Sequence, residues 1–115
     1  MNTLNYNFHD ATLVKCEISR NNQLQLTVQL YEIYYPNKEL IKLTFSEVFN
    51  IEKVSKLVVK LKAEALNDDW NGTRINTIQF DTKRTSTNQN LFLFLDLDWY
   101  EPIRIHCKRI KEESV

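Results

Sequence analysis

The sequence predicts an α+β domain: a single twisted antiparallel sheet of about six strands, joined as meander hairpins, with one amphipathic helix packed on one face. Three observations lead there. Apolar residues recur with period two in five stretches, with a sixth less regular. The period lengthens to that of a helix in one stretch, 51–65. The connections between neighbouring strands are short, which favours antiparallel pairing of sequence neighbours. The chain has 115 residues and is 43% hydrophobic, enough for one domain (1–115) with one core and no need of metals or disulfides.

From 12 to 19, Val14, Cys16 and Ile18 share one parity, and Leu13, Lys15 and Glu17 the other. This is the alternation of a half-buried strand. Asn21 and Asn22 follow, where a turn needs residues that tolerate positive φ. Leu24, Leu26, Val28 and Leu30 then alternate with Gln25, Thr27 and Gln29, completing a hairpin. The parity blurs through Tyr31, Ile33, Tyr34 and Tyr35, as a bulge or two-sided burial would make it. Pro36, Asn37 and Lys38 mark a turn. A third strand alternates Ile41, Leu43 and Phe45 with Lys42, Thr44 and Ser46.

Ile51, Val54, Leu57, Val58, Leu61 and Ala65 fall on one face of a helix, with lysines and a glutamate between them. Asn50 is placed to cap its start, and Glu52 and Lys62 lie at the ends the helix dipole favours. Residues 67–72 form a loop, and 75–82 a fourth strand with poorer alternation. The last third is a hairpin, 90–98 and 103–110, turning through Trp99, Tyr100, Glu101 and Pro102. The tail from 111 to 115 is expected to fray.

The composition excludes several functions. Fifteen basic and fifteen acidic residues balance, so the chain lacks the positive charge that nucleic acid or an anionic membrane attracts. One glycine and two prolines leave no Gly-rich phosphate loop, dinucleotide fingerprint or nucleophile elbow. The opening residues lack the basic and apolar regions of a secretory leader, so the cytoplasm is the expected location. Cys16 and Cys107 are then expected as buried thiols.

Few residues suit chemistry. His9 and Asp10 are adjacent, and on an extended chain their side chains point to opposite faces. Asp10 is expected to accept backbone N–H groups where the first strand begins. Arg104 and His106 could meet Asp96 or Asp98 across the last hairpin, where opposite charges stabilise a strand pair by about 0.2–1 kcal/mol. His9, Asp10, Cys16, His106 and Cys107 have no zinc-site spacing. No catalytic residue, metal or cofactor is expected. The aromatic residues are more telling. Tyr34, Tyr35, Trp70, Trp99 and Tyr100 fall in turns, beside Asp68, Asp69 and Glu101, where they could form an interface whose acidic rim suits a basic protein partner.

Phe8-His9-Asp10-Ala11, the strand ending Cys16-Glu17-Ile18, and Leu43-Thr44-Phe45-Ser46-Glu47-Val48 together resemble a family of small bacterial proteins with an N-terminal Phe-His-Asp-Ala/Ser motif. Some of its members are immunity proteins of polymorphic toxin systems. A glycine often follows the phenylalanine of the second motif there, where this chain has Ser46. The resemblance implies a protein that neutralises a toxin by binding it, and it brings no catalytic residues. The expected function is thus a non-catalytic, cytoplasmic protein-binding module, of the kind that immunity proteins neutralising a bacterial toxin represent. The alternatives are a small enzyme using His9 and Asp10 or His106 with a carboxylate, and a subunit or homodimer that pairs through a sheet edge.

Overall fold

The computed structural model describes residues 4–37, 39–64, 72–87 and 90–115. Among them lie six strands and one helix: β1 (Thr12–Ser19), β2 (Gln23–Gln29), β3 (Leu40–Val48), α1 (Ile51–Glu64), β4 (Thr73–Phe80), β5 (Leu91–Leu97) and β6 (Ile103–Ser114). The strands do not form an open sheet. They close into an antiparallel barrel in the order β1-β2-β3-β6-β5-β4. This corrects the predicted single sheet with a helix on one face. The neighbours β1-β2-β3 and β4-β5-β6 follow from the meander; the β3–β6 and β1–β4 pairings do not.

β6 is the reason the two meanders become one barrel. Its first half pairs with β5, from Ile103 opposite Leu95 to Cys107 opposite Leu91. Its second half pairs with β3, from Cys107 opposite Val48 to Ser114 opposite Ile41. The inward parity changes between those halves: Ile103, Ile105 and Cys107 are buried, and then Ile110 packs on the core. β3 changes in step, from Phe45 to Val48, through Glu47 at φ 51. The tail does not fray. Val115 N donates to Leu40 O at 3.0 Å, and the Glu112 carboxylate accepts Asn5 N–H at 2.9 and 3.0 Å.

Two bulges explain the patterns that sequence parity misplaced. Val14 is the extra residue in β1, so Leu13 faces inward with Cys16 instead of opposing it. Asn76 is the extra residue in β4, so Ile75 and Ile78 both point inward. Bulges raise local twist, which curls a sheet toward closure. The closing contact is short: Thr12 opposite Arg74 and Leu13 opposite Thr73, extended by Ile75 N to Ala11 O (2.8 Å) and Asp10 N to Ile75 O (2.9 Å).

Val54, Val58 and Leu61 of α1 join the same core as the inward strand residues. The helix lies against β1, whose residues beyond Leu13 have left β4. It therefore covers the opening of the barrel on that side. Asn50 ends β3 in an unexpected way. Its backbone carbonyl accepts the Val54 N–H at 3.2 Å, but its side chain is not the cap. The carboxamide lies along β6, donating to Arg104 O at 2.7 Å and accepting His106 N–H at 3.0 Å. It imitates one more peptide of β3, satisfying ladder groups that would otherwise have no partner. The Asn21 and Asn22 turn forms as expected, at φ 66 and 56.

Gly72, the one glycine of the sequence, enters β4 at φ +106. A Cβ there would lie 2.2 Å from the Leu13 carbonyl oxygen, so only glycine lets the two strands meet. Gly72→Ala is expected to cost about 2 kcal/mol or more in urea unfolding. A variant as stable as the parent would show that the seam does not depend on this contact.

Candidate functional site

The Phe8–Ala11 motif lies at the seam. Phe8 and Ala11 are buried in the core. His9 and Asp10 between them face outward, with Asp10 at φ 62. That turn defeats the expectation that the two side chains diverge: His9 Nε2 lies 3.4 Å from Asp10 Oδ2. Asp10 also does not cap the strand's N–H groups with its side chain; its carboxylate meets the Arg74 guanidinium. His9 Nδ1 lies 2.8 Å from Asn76 O, and a carbonyl can only accept, so this nitrogen carries the proton. The other nitrogen is turned toward Asp10, and the ring, about half exposed, borders the cleft beside β4.

Arg74 carries the connection across the barrel. It bridges Asp10 to Asp98, donating to Asp98 Oδ2 from Nε at 2.8 Å and to Oδ1 from Nη2 at 3.2 Å. The backbone follows the same path: Asp98 N donates to Arg74 O at 3.0 Å. The hydrogen bond from Arg74, and then its charge, hold the Asp98 carboxyl below the ordinary carboxylate range against the opposing effect of burial. Asp98 therefore does not pair with Arg104 or His106. Arg104 turns to Asp81 (2.5 Å), which also accepts the Lys83 N–H at 2.9 Å.

Asp98 is the last fixed residue before Trp99. Trp99 stands at φ 73 with 94% of its surface exposed, the largest exposure of any big apolar residue described. The chain turns back at once, with Tyr100 N donating to Leu97 O at 3.3 Å. Tyr100 packs against the core, and its hydroxyl is pushed up by burial first and by Glu64 next. Lys60 Nζ lies 5.7 Å from the Tyr100 ring centre. Beside the indole, Lys53, Leu57 and Lys60 of α1 and Glu101, Pro102 and Ile103 line a shallow groove of about 310 Å³.

Comparison with protein-family models, curated proteins and solved structures finds no match. The site therefore stands on its own geometry. Of the residues expected at an interface, Trp99, Tyr100 and Glu101 share this corner. Tyr34 and Tyr35 sit on the β2–β3 connection instead. Tyr34 is half exposed against Tyr31, and Tyr35 accepts the Asn7 N–H at 2.9 Å. Asp68, Asp69 and Trp70 lie outside the described residues. The charged neighbours of Trp99 in the groove are mostly lysines rather than the acids expected.

His106 has a structural setting. Its ring stacks on Phe92 at 4.4 Å and tilts against Phe49 at 4.5 Å, and Nε2 meets Asn90 Oδ1 at 2.9 Å. Burial and then Arg84 lower its basicity. Cys16 and Cys107 are buried thiols, as expected, pushed up by burial to about 11 and about 12. Among the described residues no three His, Cys, Asp or Glu side chains gather in a way that could hold a metal ion.

Asp98 is ionised in the fold at pH values where an unfolded aspartate takes up a proton. The fold then binds fewer protons, so this stabilisation is complete above about pH 4 and is lost as pH falls through the depressed folded value. Asp98→Asn is expected to flatten the acid limb of stability against pH, followed by urea unfolding. An unchanged limb would mean that Arg74 does not hold the carboxylate in solution. Trp99→Gly tests the turn itself. Removing a side chain from a left-handed position is expected to raise stability by up to about 1 kcal/mol. A loss of that size would mean that the indole contributes to the fold.

Proposed function

We propose that the chain is a non-catalytic protein-binding module that docks through the Trp99 corner. The observation that carries this reading is a tryptophan held almost fully exposed at a costly backbone angle, with the residues on either side fixed. A large aromatic on a rigid turn loses little entropy when it is buried by a partner, and tryptophan is enriched among the residues that dominate binding energy. His106 Nε2 meets Asn90, and the Asp10 carboxylate beside His9 is held by Arg74, so among the described residues neither histidine has the free carboxylate partner that the enzyme alternative needs.

The partner we propose is a bacterial toxin that the module neutralises, on the strength of the resemblance in the Phe8–Ala11 and Leu43–Val48 segments. The proposed location is the cytoplasm, where two free buried thiols persist. No described helix is long and apolar enough to cross a membrane.

The test is protection of growing cells by this protein against a toxin encoded beside it, with affinity measured by calorimetry. Trp99→Ala is expected to weaken binding by about 2 kcal/mol or more, roughly 30-fold, and to abolish protection without lowering the unfolding midpoint. Full affinity in a folded Trp99→Ala variant would reject this corner as the anchor. Absence of protection by the parent would reject the neutralising role.

A further inference from the structure

The barrel seam is shorter than β4. The β4–β5 register alternates residues that bond β5 with residues that turn away from it. Arg74, Thr77, Gln79 and Asp81 face β5: Arg74 O accepts Asp98 N–H at 3.0 Å, and Asp81 N donates to Phe92 O at 2.8 Å. The residues between turn their N–H and C=O to the opposite edge. There Ile75 is taken by Asp10 and Ala11, and Asn76 O by His9. Ile78 and Phe80 come next, and among the described residues no strand pairs with that side of them.

That edge borders an open cleft of about 440 Å³. Its other wall is the N-terminal segment, which leaves β4 at His9 and is tied off at Asn7 by the Tyr35 hydroxyl and at Asn5 by Glu112. Leu4, Tyr6, Phe8, Ile78 and Phe80 give the cleft an apolar lining. Arg84 also lines it, its guanidinium 5.3 Å from the Phe92 ring centre and in no ion pair among the described residues. Asp81, in the same cleft, is already committed to Arg104 and the Lys83 N–H.

We propose that this cleft binds an extended peptide segment of a partner protein, which adds as a strand to the free edge of β4. An unpaired edge offers main-chain hydrogen bonds at every second residue, and the lining takes alternate apolar side chains. Arg84, which forms no ion pair among the described residues, selects a carboxylate at its end of the segment. The two walls select a lone segment over a second copy, whose β4 is flanked by its own β5. This site is separate from the Trp99 corner and does not depend on it.

The probe is a blocked hexapeptide of alternating valine and threonine that ends in two aspartates, titrated into the ¹⁵N-labelled full chain. The expected result is saturable shifts at the amides of Ile78, Phe80 and Arg84, with slower hydrogen exchange at Ile78 and Phe80. Two lysines in place of the aspartates are expected to weaken binding about tenfold, and N-methylation of the edge-facing peptide amides to abolish it. Phe80→Pro removes an edge donor that β5 does not use, and is expected to lose the peptide while keeping a folded spectrum. Shifts that map elsewhere, equal binding of the N-methylated peptide, or equal binding of the lysine peptide would each overturn the proposal. So would sedimentation as a dimer that Phe80→Pro disperses, which would make a second copy the occupant.

Discussion

The fold depends on a brief meeting of β1 and β4, where two meanders that could have stayed open are joined. The backbone supplies few bonds there: the pairs at Thr12 and Leu13 and the bonds of Asp10 and Ala11 with Ile75. Gly72 allows the close approach, and Arg74 aligns three segments by holding Asp10 before β1 and Asp98 after β5. Exposed ion pairs contribute little energy, so the value of Arg74 is geometric. One planar fork with several donors fixes two carboxylates that arrive from opposite directions. Everything that the surface displays near Trp99 inherits its position from this arrangement.

The local elements were legible in the sequence because each rests on a local period. The strands, the helix over Ile51–Glu64 and the Asn21–Asn22 turn all appear close to where the pattern put them. Closure was not legible, because it rests on single residues that a period cannot register. Val14 and Asn76 each add one residue to a strand and reverse the apparent parity. Glu47 does similar work within β3, and β6 changes partner halfway along its length. Asn50 illustrates the same limit. Its position before a helix signals a cap, yet its carboxamide serves β6, a contact that only tertiary structure creates.

The candidate site was legible in part. Trp99, Tyr100 and Glu101 were marked by aromatic residues in a turn, and the structure places them at one corner. Nothing local could show that His9 and Asp10 belong to the same structural path. An adjacent pair suggests a dyad, but the left-handed Asp10 brings the side chains together only to engage both with β4. Arg74 was missed because a lone arginine in a strand carries no signal. Its role appears only when the carboxylates at 10 and 98 become neighbours.

The same constraint shapes both surfaces. A seam that continued along β4 would pair Ile78 and Phe80 and erase the cleft beside them. A seam without Arg74 would leave Asp98 unheld and release the turn that presents Trp99. The bulge at Asn76 decides where pairing stops: it turns the strand, and His9 takes the Asn76 carbonyl that β1 would otherwise continue from. Beyond that point β4 keeps its bonds to β5 and loses its neighbour on the other side. A short seam therefore has two consequences. It spends stability on a tense corner, and it leaves part of one strand unpaired, and these are the two surfaces at which we propose that another chain docks.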